Sequence, residues 1–320
     1  MPTLKDVERA YERIKDIVNK TSVLTSRTLN QMVMANVFMK CENFQRVGAF
    51  KFRGVSNKLL QLSVEEKAKG VVTHSSGNHA QAVALASSIL GIKSVIVMPK
   101  NAPPVKIDAT RDYGAEIVRC ASNVKAREET CQNLVDKHGY TLVHPYDDDQ
   151  IIAGAGTATL ELIKEVGDLD YMFCPVGGGG LLSGTSVATK GLCPNSKVVA
   201  VEPEQADDAY RSFKDGKLYP SAYPDTIADG LRTSLSKRTF KIIRENVDEI
   251  ITVSEKEIID AMKFLWMRMK IIVEPSGAVP IAGVIKMARS IKNKNIGVII
   301  SGGNIDLEDF FNKYYMELPD

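Results

Sequence analysis

The stretch DYMFCPVGGGGLLSGTSVATK, residues 170–190, decides the fold class because it joins a strand, a glycine turn and a helix. The apolar run at 170–176 is nearly continuous, which is typical of a strand covered on both faces of a parallel sheet. Four glycines follow at 177–180, and a helical pattern begins at 181. Without Cβ atoms, the backbone N–H groups of such a turn can wrap a phosphate closely. The stretch therefore predicts an α/β protein with a phosphate cradle.

The same alternation of strand, turn and helix recurs along the chain. Strands are predicted at 71–74, 94–99, 115–120, 140–145, 170–176, 197–203, 249–254 and 296–303. Ser63 with Glu66, and Ser254 with Glu257, have capping-box spacing at helix starts. The pattern predicts an α/β architecture with open parallel sheets. Because 69–147 contains four strand–helix units, we expect a small domain there, inserted into a large domain formed by 1–68 and 148–320.

Composition excludes several classes of protein. The 320 residues carry a formal net charge of +2 with dispersed basic residues, so no nucleic-acid partner is expected. The five cysteines show no CxxC spacing, which disfavours a zinc site or a disulfide framework. No apolar run is long enough to span a bilayer, and the amphipathic N-terminus does not resemble a signal peptide. We therefore expect a cytoplasmic protein without a membrane partner.

Three further segments stand where an open α/β sheet binds its ligands. In VGAFKFRG, residues 47–54, Lys51 lies between Phe50 and Phe52, and an apolar wall lowers the pKa of an amine. A surface lysine on a turn is the alternative. SSGNH at 75–79 joins a strand to a helix, and it suits either an anionic ligand or an ordinary helix cap. SGGN at 301–304 places a hydroxyl at a strand's carboxyl end, although it also suits a plain turn.

The glycine turn does not have the GxGxxG spacing of a nicotinamide site or the GK[ST] of a Walker A motif. The chain instead resembles the fold-type II pyridoxal-phosphate (PLP) enzymes, in particular the serine racemase and serine/threonine dehydratase group. The landmarks AFKFRG, SSGNHAQA, PVGGGGLLSG, VEPEQADDAYRSF, TIADG, VEPSG and SGGNID appear in family order. The resemblance implies two open, twisted, mostly parallel sheets with flanking helices in a large and a small domain. It also implies a small amino-acid substrate and a homodimer.

The resemblance assigns the cofactor contacts residue by residue. Lys51 would hold PLP as a Schiff base, with Gly177, Gly178, Gly179 and Gly180 at the phosphate, Asn78 at the phenolic oxygen, Ser301 at the pyridine nitrogen, and Phe50 and Gly230 enclosing the ring. A hydroxyl at the pyridine nitrogen leaves it unprotonated, which disfavours transamination and suits racemisation or β-elimination.

The implied activity is interconversion of L-serine and D-serine with accompanying elimination to pyruvate and ammonia. Lys51 and Ser76 would be the acid/base pair on opposite faces of the ring, and the substrate contacts would be Ser75, Ser76, Asn78, His79 and Arg127. The alternative is an L-threo-3-hydroxyaspartate or L-serine/L-threonine dehydratase, in which Arg127 would serve a β-carboxylate. A binding protein without catalysis is disfavoured because Lys51 and Ser76 are both present.

Two accessory sites are also implied. Glu202, the Ala206 carbonyl and Asp208 would bind Mg²⁺ (or Ca²⁺ or Mn²⁺), although from the residues alone a solvated acidic loop is favoured. Gln81 and Tyr113 are candidates for a nucleotide effector site that would take ATP. Because the chain ends soon after Asn304, no C-terminal regulatory domain is expected.

Overall fold

The computed structural model describes residues 1–102, 104–222 and 224–315. Its strands are β1 Val23–Leu24, β2 Asn36–Cys41, β3 Val71–His74, β4 Ser94–Pro99, β5 Glu116–Cys120, β6 Thr141–Leu142, β7 Tyr171–Pro175, β8 Lys197–Pro203, β9 Glu249–Val253 and β10 Asn295–Ile300. Its helices are α1 Leu4–Ile14, α2 Arg27–Val33, α3 Lys51–Leu60, α4 Val64–Lys69, α5 Asn78–Ile89, α6 Pro104–Asp112, α7 Val124–His138, α8 Asp149–Val166, α9 Gly180–Leu192, α10 Asp208–Asp215, α11 Lys237–Asn246, α12 Glu255–Phe264, α13 Pro275–Lys286 and α14 Leu307–Phe310. Among these helices, none is both long and apolar enough to cross a membrane.

The strands form two sheets. The larger has the order β1-β2-β10-β7-β8-β9, in which only the β1–β2 pair is antiparallel. The smaller has the order β5-β4-β3-β6 and is parallel throughout. All four of its strands lie between residues 71 and 142, inside the segment expected to form the small domain. The prediction of two open, mostly parallel sheets with flanking helices is confirmed.

The larger sheet is buried on both faces, which explains its continuous apolar strands. Along β7, Met172 and Cys174 belong to one hydrophobic cluster, whereas Phe173 belongs to another. Val198 and Val199 of β8 divide between the same two clusters. Helices therefore cover each face, and successive side chains enter different cores.

Two strand predictions differ from the structure. The strand predicted at 140–145 is limited to β6, because the carbonyl of Val143 accepts hydrogen bonds from the side chains of Thr73 and His79. The chain leaves the ladder there and turns into the site. Strand β2 was not predicted, because Lys40 interrupts its apolar pattern. Both predicted capping boxes are present, Ser63 with Glu66 and Ser254 with Glu257.

A buried ionic network surrounds the start of α3. Arg53 is fully buried, and it contacts Glu42 through Nε at 2.7 Å and Glu161 through Nη1 at 2.7 Å. The Lys40 Nζ also lies 2.7 Å from a carboxylate oxygen of Glu161. Thr21 adds a hydroxyl that donates to Glu42 at 2.6 Å. Two positive and two negative side chains thereby balance one another between β2, α3 and α8.

Removing Arg53 should leave two buried carboxylates without their main partner. We expect Arg53→Met to lower the free energy of unfolding by about 3–5 kcal/mol. Arg111→Met is the matched control, because Arg111 pairs with Asp108 on the surface, and we expect a change of roughly 0.5 kcal/mol or less. Both changes can be measured by denaturant unfolding at equal cofactor concentration. Equal stability of the two variants would contradict a structural role for the network.

Candidate active site

A cavity of about 310 Å³ opens where the carboxyl ends of β3, β7 and β10 meet. Every residue predicted to contact the cofactor or the substrate lines it: Phe50, Lys51, Ser75, Ser76, Asn78, His79, Arg127, Gly177, Gly178, Gly179, Gly180, Gly230 and Ser301. Residues from both sheets contribute to its wall, so the cavity lies between them. The sequence alone had no means of measuring this proximity.

Lys51 is the first residue of α3, and the segment before it is anchored to β10. Ala49 forms a β-bridge with Gly302, and the N–H of Phe50 donates to the Ser301 carbonyl at 3.0 Å. The Lys51 Nζ donates to the Pro145 carbonyl at 2.7 Å and lies 5.0 Å from the centre of the Phe50 ring. Burial lowers the pKa of Lys51 to about 8, and the negative charge of Glu274 acts against that shift. The amine is therefore close to its neutral, nucleophilic form.

The glycine turn is closely packed as well as flexible. A Cβ on Gly178 would collide with the ring of Tyr146, and one on Gly177 would lie 2.8 Å from the Leu231 Cα. Gly179 adopts a φ of +84°, in the left-handed region that favours glycine. The Thr239 hydroxyl donates to the Gly178 carbonyl at 3.0 Å. The turn is thus held at the N-terminus of α9, where helix dipole and free N–H groups favour an anion.

The orientation of the Asn78 amide is fixed by its neighbours. The Asn304 Nδ2 donates to the Asn78 Oδ1 at 2.8 Å and to the Val47 carbonyl at 2.6 Å. The Asn78 Nδ2 must therefore point the other way, and it donates to the Glu274 carboxyl at 2.9 Å. Burial raises the pKa of Glu274 to about 8, so this carboxyl is protonated in much of the population near neutral pH. The Asn78 amide is thus held in one orientation, with its N–H groups on the side of Glu274.

Two further residues bring polar groups without complete partners to the cavity wall. His79 is 3% exposed, and its Nε2 lies 3.0 Å from the Val143 carbonyl, while its Nδ1 has no hydrogen-bond partner among the described residues. The Nε of Arg127 is likewise buried without a partner in the described part of the chain. Burial, reinforced by the charge of Arg127, lowers the pKa of His74. These groups are suited to a polar ligand.

The predicted cation residues lie outside this cavity. Glu202 lies near the carboxyl end of β8. Its two carboxylate oxygens accept hydrogen bonds from the N–H groups of Ala209 and Tyr210 at 3.0 and 2.7 Å. Asp208 begins α10, and burial of its carboxylate raises its pKa to about 6, although the nearby Ser221 hydroxyl acts against that shift. Ala206 lies between them in a short 3₁₀ turn. No group of three or more His, Cys, Asp or Glu side chains is placed for a metal among the described residues.

The effector candidates also lie outside the cavity. Gln81 is buried on α5, and Tyr113 follows α6 and packs against the hydrophobic cluster beneath it. The nucleotide assignment therefore stays a prediction.

Comparison with known proteins identifies the class. Residues 14–302 match the family described as pyridoxal-phosphate dependent enzyme, and the chain belongs to this family. The recognition made from the sequence landmarks is thereby confirmed.

Individual relatives cover nearly the full length. The chain is 49% identical to the serine racemase of Schizosaccharomyces pombe, over 97% of this chain and 96% of that one. It is 48% identical to the L-threo-3-hydroxyaspartate ammonia-lyase of Saccharomyces cerevisiae, over 97% and 95%. The crystal structure of serine racemase from Dictyostelium discoideum superposes with a TM-score of 0.91 at 48% identity, over 95% of this chain and 99% of that one.

The residues present fit pyridoxal phosphate. Lys51 offers a buried amine with a lowered pKa, and the glycine turn lines the same cavity with a packing so close that an added Cβ would collide with Leu231 or Tyr146. Asn78 and Ser301 line the same cavity as Lys51, and the Asn78 Nδ2 lies against Glu274 on the wall of that cavity. One cavity thus contains an amine, an amide, a hydroxyl-bearing residue and a glycine turn, which are the kinds of group that pyridoxal phosphate requires.

Sequence reasoning missed several residues of the site. Glu274 and Asn304 stood inside quoted landmarks, VEPSG and SGGNID, but no role was given to them. Ser276, whose Oγ accepts from the N–H of Gly230 at 3.1 Å, was missed for the same reason. No site role was predicted for His144 and Tyr146, which line the cavity because the chain turns away at the early end of β6.

The lowered pKa of Lys51 yields a labelling prediction. Below about pH 8 its amine is charged and above it neutral, so reaction with added PLP should accelerate as pH rises toward 8. Borohydride reduction and peptide mapping should then find the pyridoxyl group on Lys51, and Lys51→Ala should lose it. Lys106→Met is the control, because Lys106 lines the same cavity but is paired with Asp229 at 2.8 Å. A pyridoxyl group on another lysine of the parent enzyme would refute the assignment.

Proposed function

We propose that this chain is a PLP-dependent racemase that interconverts L-serine and D-serine, and that it also converts part of the serine to pyruvate and ammonia. One observation carries the proposal: Lys51 and Ser76 reach the same cavity from different structural elements. Lys51 begins α3, beside the larger sheet, and Ser76 lies in the turn between β3 and α5 of the smaller sheet. The names of the relatives from S. pombe and D. discoideum support the same activity.

The roles of the residues follow from their chemistry. When bound, PLP supplies an electron sink that acidifies the Cα proton of an amino acid. Gly177–Gly180, Asn78 and Ser301 would hold its phosphate, phenolic oxygen and ring nitrogen. Lys51 would remove or return the Cα proton from one side, since its amine is near neutrality. Ser76 would exchange a proton from the other side, assisted by the positive N-terminus of α5.

The substrate carboxylate would bind at Ser75–His79. These residues surround the N-terminus of α5, where backbone N–H groups lack helical partners. Arg127 enters from α7, and its buried Nε, which has no hydrogen-bond partner among the described residues, provides a second place for an acceptor.

A second function is favoured by Arg127 and by the S. cerevisiae relative. An L-threo-3-hydroxyaspartate ammonia-lyase would use the guanidinium for the β-carboxylate of its substrate. Assays with L-serine, D-serine, L-threonine and L-threo-3-hydroxyaspartate, following both chirality and keto acid, distinguish the two. If saturating L-serine gave no D-serine in the presence of Mg²⁺, the dehydratase would replace the racemase.

Several finer expectations belong to the same proposal. The enzyme would be a cytoplasmic homodimer, and the exposed side chains of Phe44, Met267 and Ile272 offer an apolar surface for the second copy. Residues 69–147 would move as the small domain. ATP would be an effector at Gln81 and Tyr113. Mg²⁺, or Ca²⁺ or Mn²⁺, would bind Glu202, the Ala206 carbonyl and Asp208, because burial raises the pKa of both carboxyl groups and a cation would supply the counter-charge that keeps them ionised.

The cation proposal predicts a stability effect. Mg²⁺ at about 100 times its Kd should stabilise the chelated enzyme by about 2.7 kcal/mol and raise its rate. Asp208→Asn should abolish both effects. Asp207→Asn is the matched control, because the Asp207 carboxylate pairs with Arg211 at the surface, at 2.8 Å. This substitution should leave the Mg²⁺ response unchanged. A melting temperature and rate insensitive to both chelator and Mg²⁺ would mean that the loop is only a buried acidic turn.

The racemase proposal predicts an asymmetric effect of Ser76→Ala. D-serine formation should fall by about two or more orders of magnitude, the usual scale for losing a general acid. Keto-acid production from L-serine should persist because it needs only Lys51, whereas production from D-serine should vanish. Ser75→Ala serves for comparison, since its Oγ accepts from the N–H of Gly77 at 3.3 Å and its loss should affect both enantiomers alike. Racemisation at the parental rate in Ser76→Ala would refute its role.

A further inference from the structure

Three of the four histidines of the chain line the active-site cavity: His74, His79 and His144. The fourth, His138, stacks on Tyr140 at 5.1 Å and is exposed. His144 has no part in the function proposed above, although it directly precedes Pro145, whose carbonyl holds Lys51.

The hydrogen bonds of His144 fix its tautomer. Its Nδ1 receives the backbone N–H of Asp147 at 2.8 Å and that of Tyr146 at 3.3 Å. Because a backbone N–H can only donate, Nδ1 must be the unprotonated nitrogen. The ring proton is then on Nε2. Burial lowers the pKa of His144 to about 4, so the ring remains neutral at physiological pH.

The Nε2–H of His144 has no acceptor of its own. The hydrogen bonds of the ring to described residues all end at Nδ1. Nε2 is not among the buried atoms without a partner, so it is open to the cavity that the ring lines. His79 provides a contrast, because its Nε2–H is committed to the Val143 carbonyl at 3.0 Å. His144 thus presents a neutral, oriented donor to whatever enters.

The remaining walls indicate which part of an amino acid His144 meets. The substrate amine must approach Lys51, and the α-carboxylate is drawn to the N-terminus of α5. Once the amine and the carboxylate are placed in this way, the remaining carbon substituent of Cα is the β-carbon. It faces the wall formed by His74, His144 and Arg127. The rings of His74 and His144 pack edge to face at 6.3 Å, which holds this wall together.

We propose that the Nε2–H of His144 donates a hydrogen bond to the β-substituent of the substrate and thereby selects amino acids that carry an acceptor at Cβ. This inference rests on the proposed function only in taking a β-hydroxy amino acid as substrate. An amino acid without the acceptor, such as alanine, leaves the donor unpaired, and sites built around such a bond reject the deficient analogue.

Two substitutions separate this role from a structural one. In His144→Asn, the shorter amide keeps an acceptor near the Nδ1 position for the N–H of Asp147, but it does not reach the Nε2 position. In His144→Gln, the longer amide places an N–H donor near the Nε2 position and loses the acceptor for the turn. Each variant therefore keeps one of the two functions of the ring.

The kinetic expectations follow directly. For L-serine, kcat/KM should fall about tenfold or more in His144→Asn, the equivalent of one lost hydrogen bond, and should stay within about threefold in His144→Gln. The rate of L-alanine racemisation should be similar in parent and both variants, since alanine has no acceptor to lose. If His144→Asn instead kept the parental rates and His144→Gln lost activity toward both substrates, His144 would only support the turn. That result would overturn the proposal.

A spectroscopic test uses the unmodified holoenzyme. In protein labelled with ¹⁵N in the histidine rings, His144 should show the Nε2–H tautomer from pH 6 to 8. Saturating 3-hydroxypropanoate should shift its Nε2 signal, whereas propanoate, which lacks only the hydroxyl, should not. The signals of His79, with its donor engaged, and of His138, outside the cavity, are internal references. Equal shifts with both probes, or a proton on Nδ1, would refute the proposal.

The two proposals can fail separately. If no D-serine formed but 3-hydroxypropanoate still shifted the His144 Nε2 signal, the racemase proposal would be rejected. His144 would then be a donor in a β-hydroxy amino acid dehydratase. Racemisation of serine with no preference over alanine, and no His144 response, would remove the donor and leave the racemase.

Discussion

The buried ionic network around Arg53 is the constraint on which the site depends. Arg53 lies two residues after Lys51, and its guanidinium spans Glu42 beyond β2 and Glu161 within α8. Desolvating four charged groups costs several kcal/mol each, and the attraction between them offsets this only when the set is complete. Any displacement of α3 would separate the partners while they remain buried. The network therefore acts chiefly to fix one position of α3, and with it the position of the amine of Lys51.

A second constraint acts through the backbone at the carboxyl ends of the strands. The end of β10 is joined to the segment before Lys51 by the Ala49–Gly302 bridge and by the bond from the Phe50 N–H to Ser301. Ser301 and the amine of Lys51 are thus placed by one short stretch of main chain. The glycine turn after β7 meets them because parallel strands end at the same edge of a sheet. The catalytic geometry is a consequence of topology before any side chain is considered.

The sequence was sufficient wherever a signal is local. Apolar runs located β4 and β8, and serine–glutamate spacing located two helix starts. The lysine, the glycine turn and the hydroxyls at strand ends could be predicted because each follows a recognisable strand or motif. Glu274, Asn304 and His144 could not, because their roles arise only when segments distant in sequence come together, as in the bond between Asn304 and Asn78. Strand β2 was not predicted, because its buried Lys40 is compatible with the core only when it is paired with Glu161.

Burial shifts the ionisable groups of the cavity toward their neutral forms, and this has a consequence for proton transfer. The pKa of Lys51 is lowered to about 8, whereas that of Glu274 is raised to about 8. Each group therefore binds or releases its proton near pH 8, well away from the range of an exposed lysine or glutamate. His144, with a pKa lowered to about 4, does not compete for these protons. Proton transfer is most efficient when donor and acceptor are matched near the working pH. In the role proposed for it, the neutral His144 ring would therefore orient the substrate without taking up the proton that Lys51 exchanges.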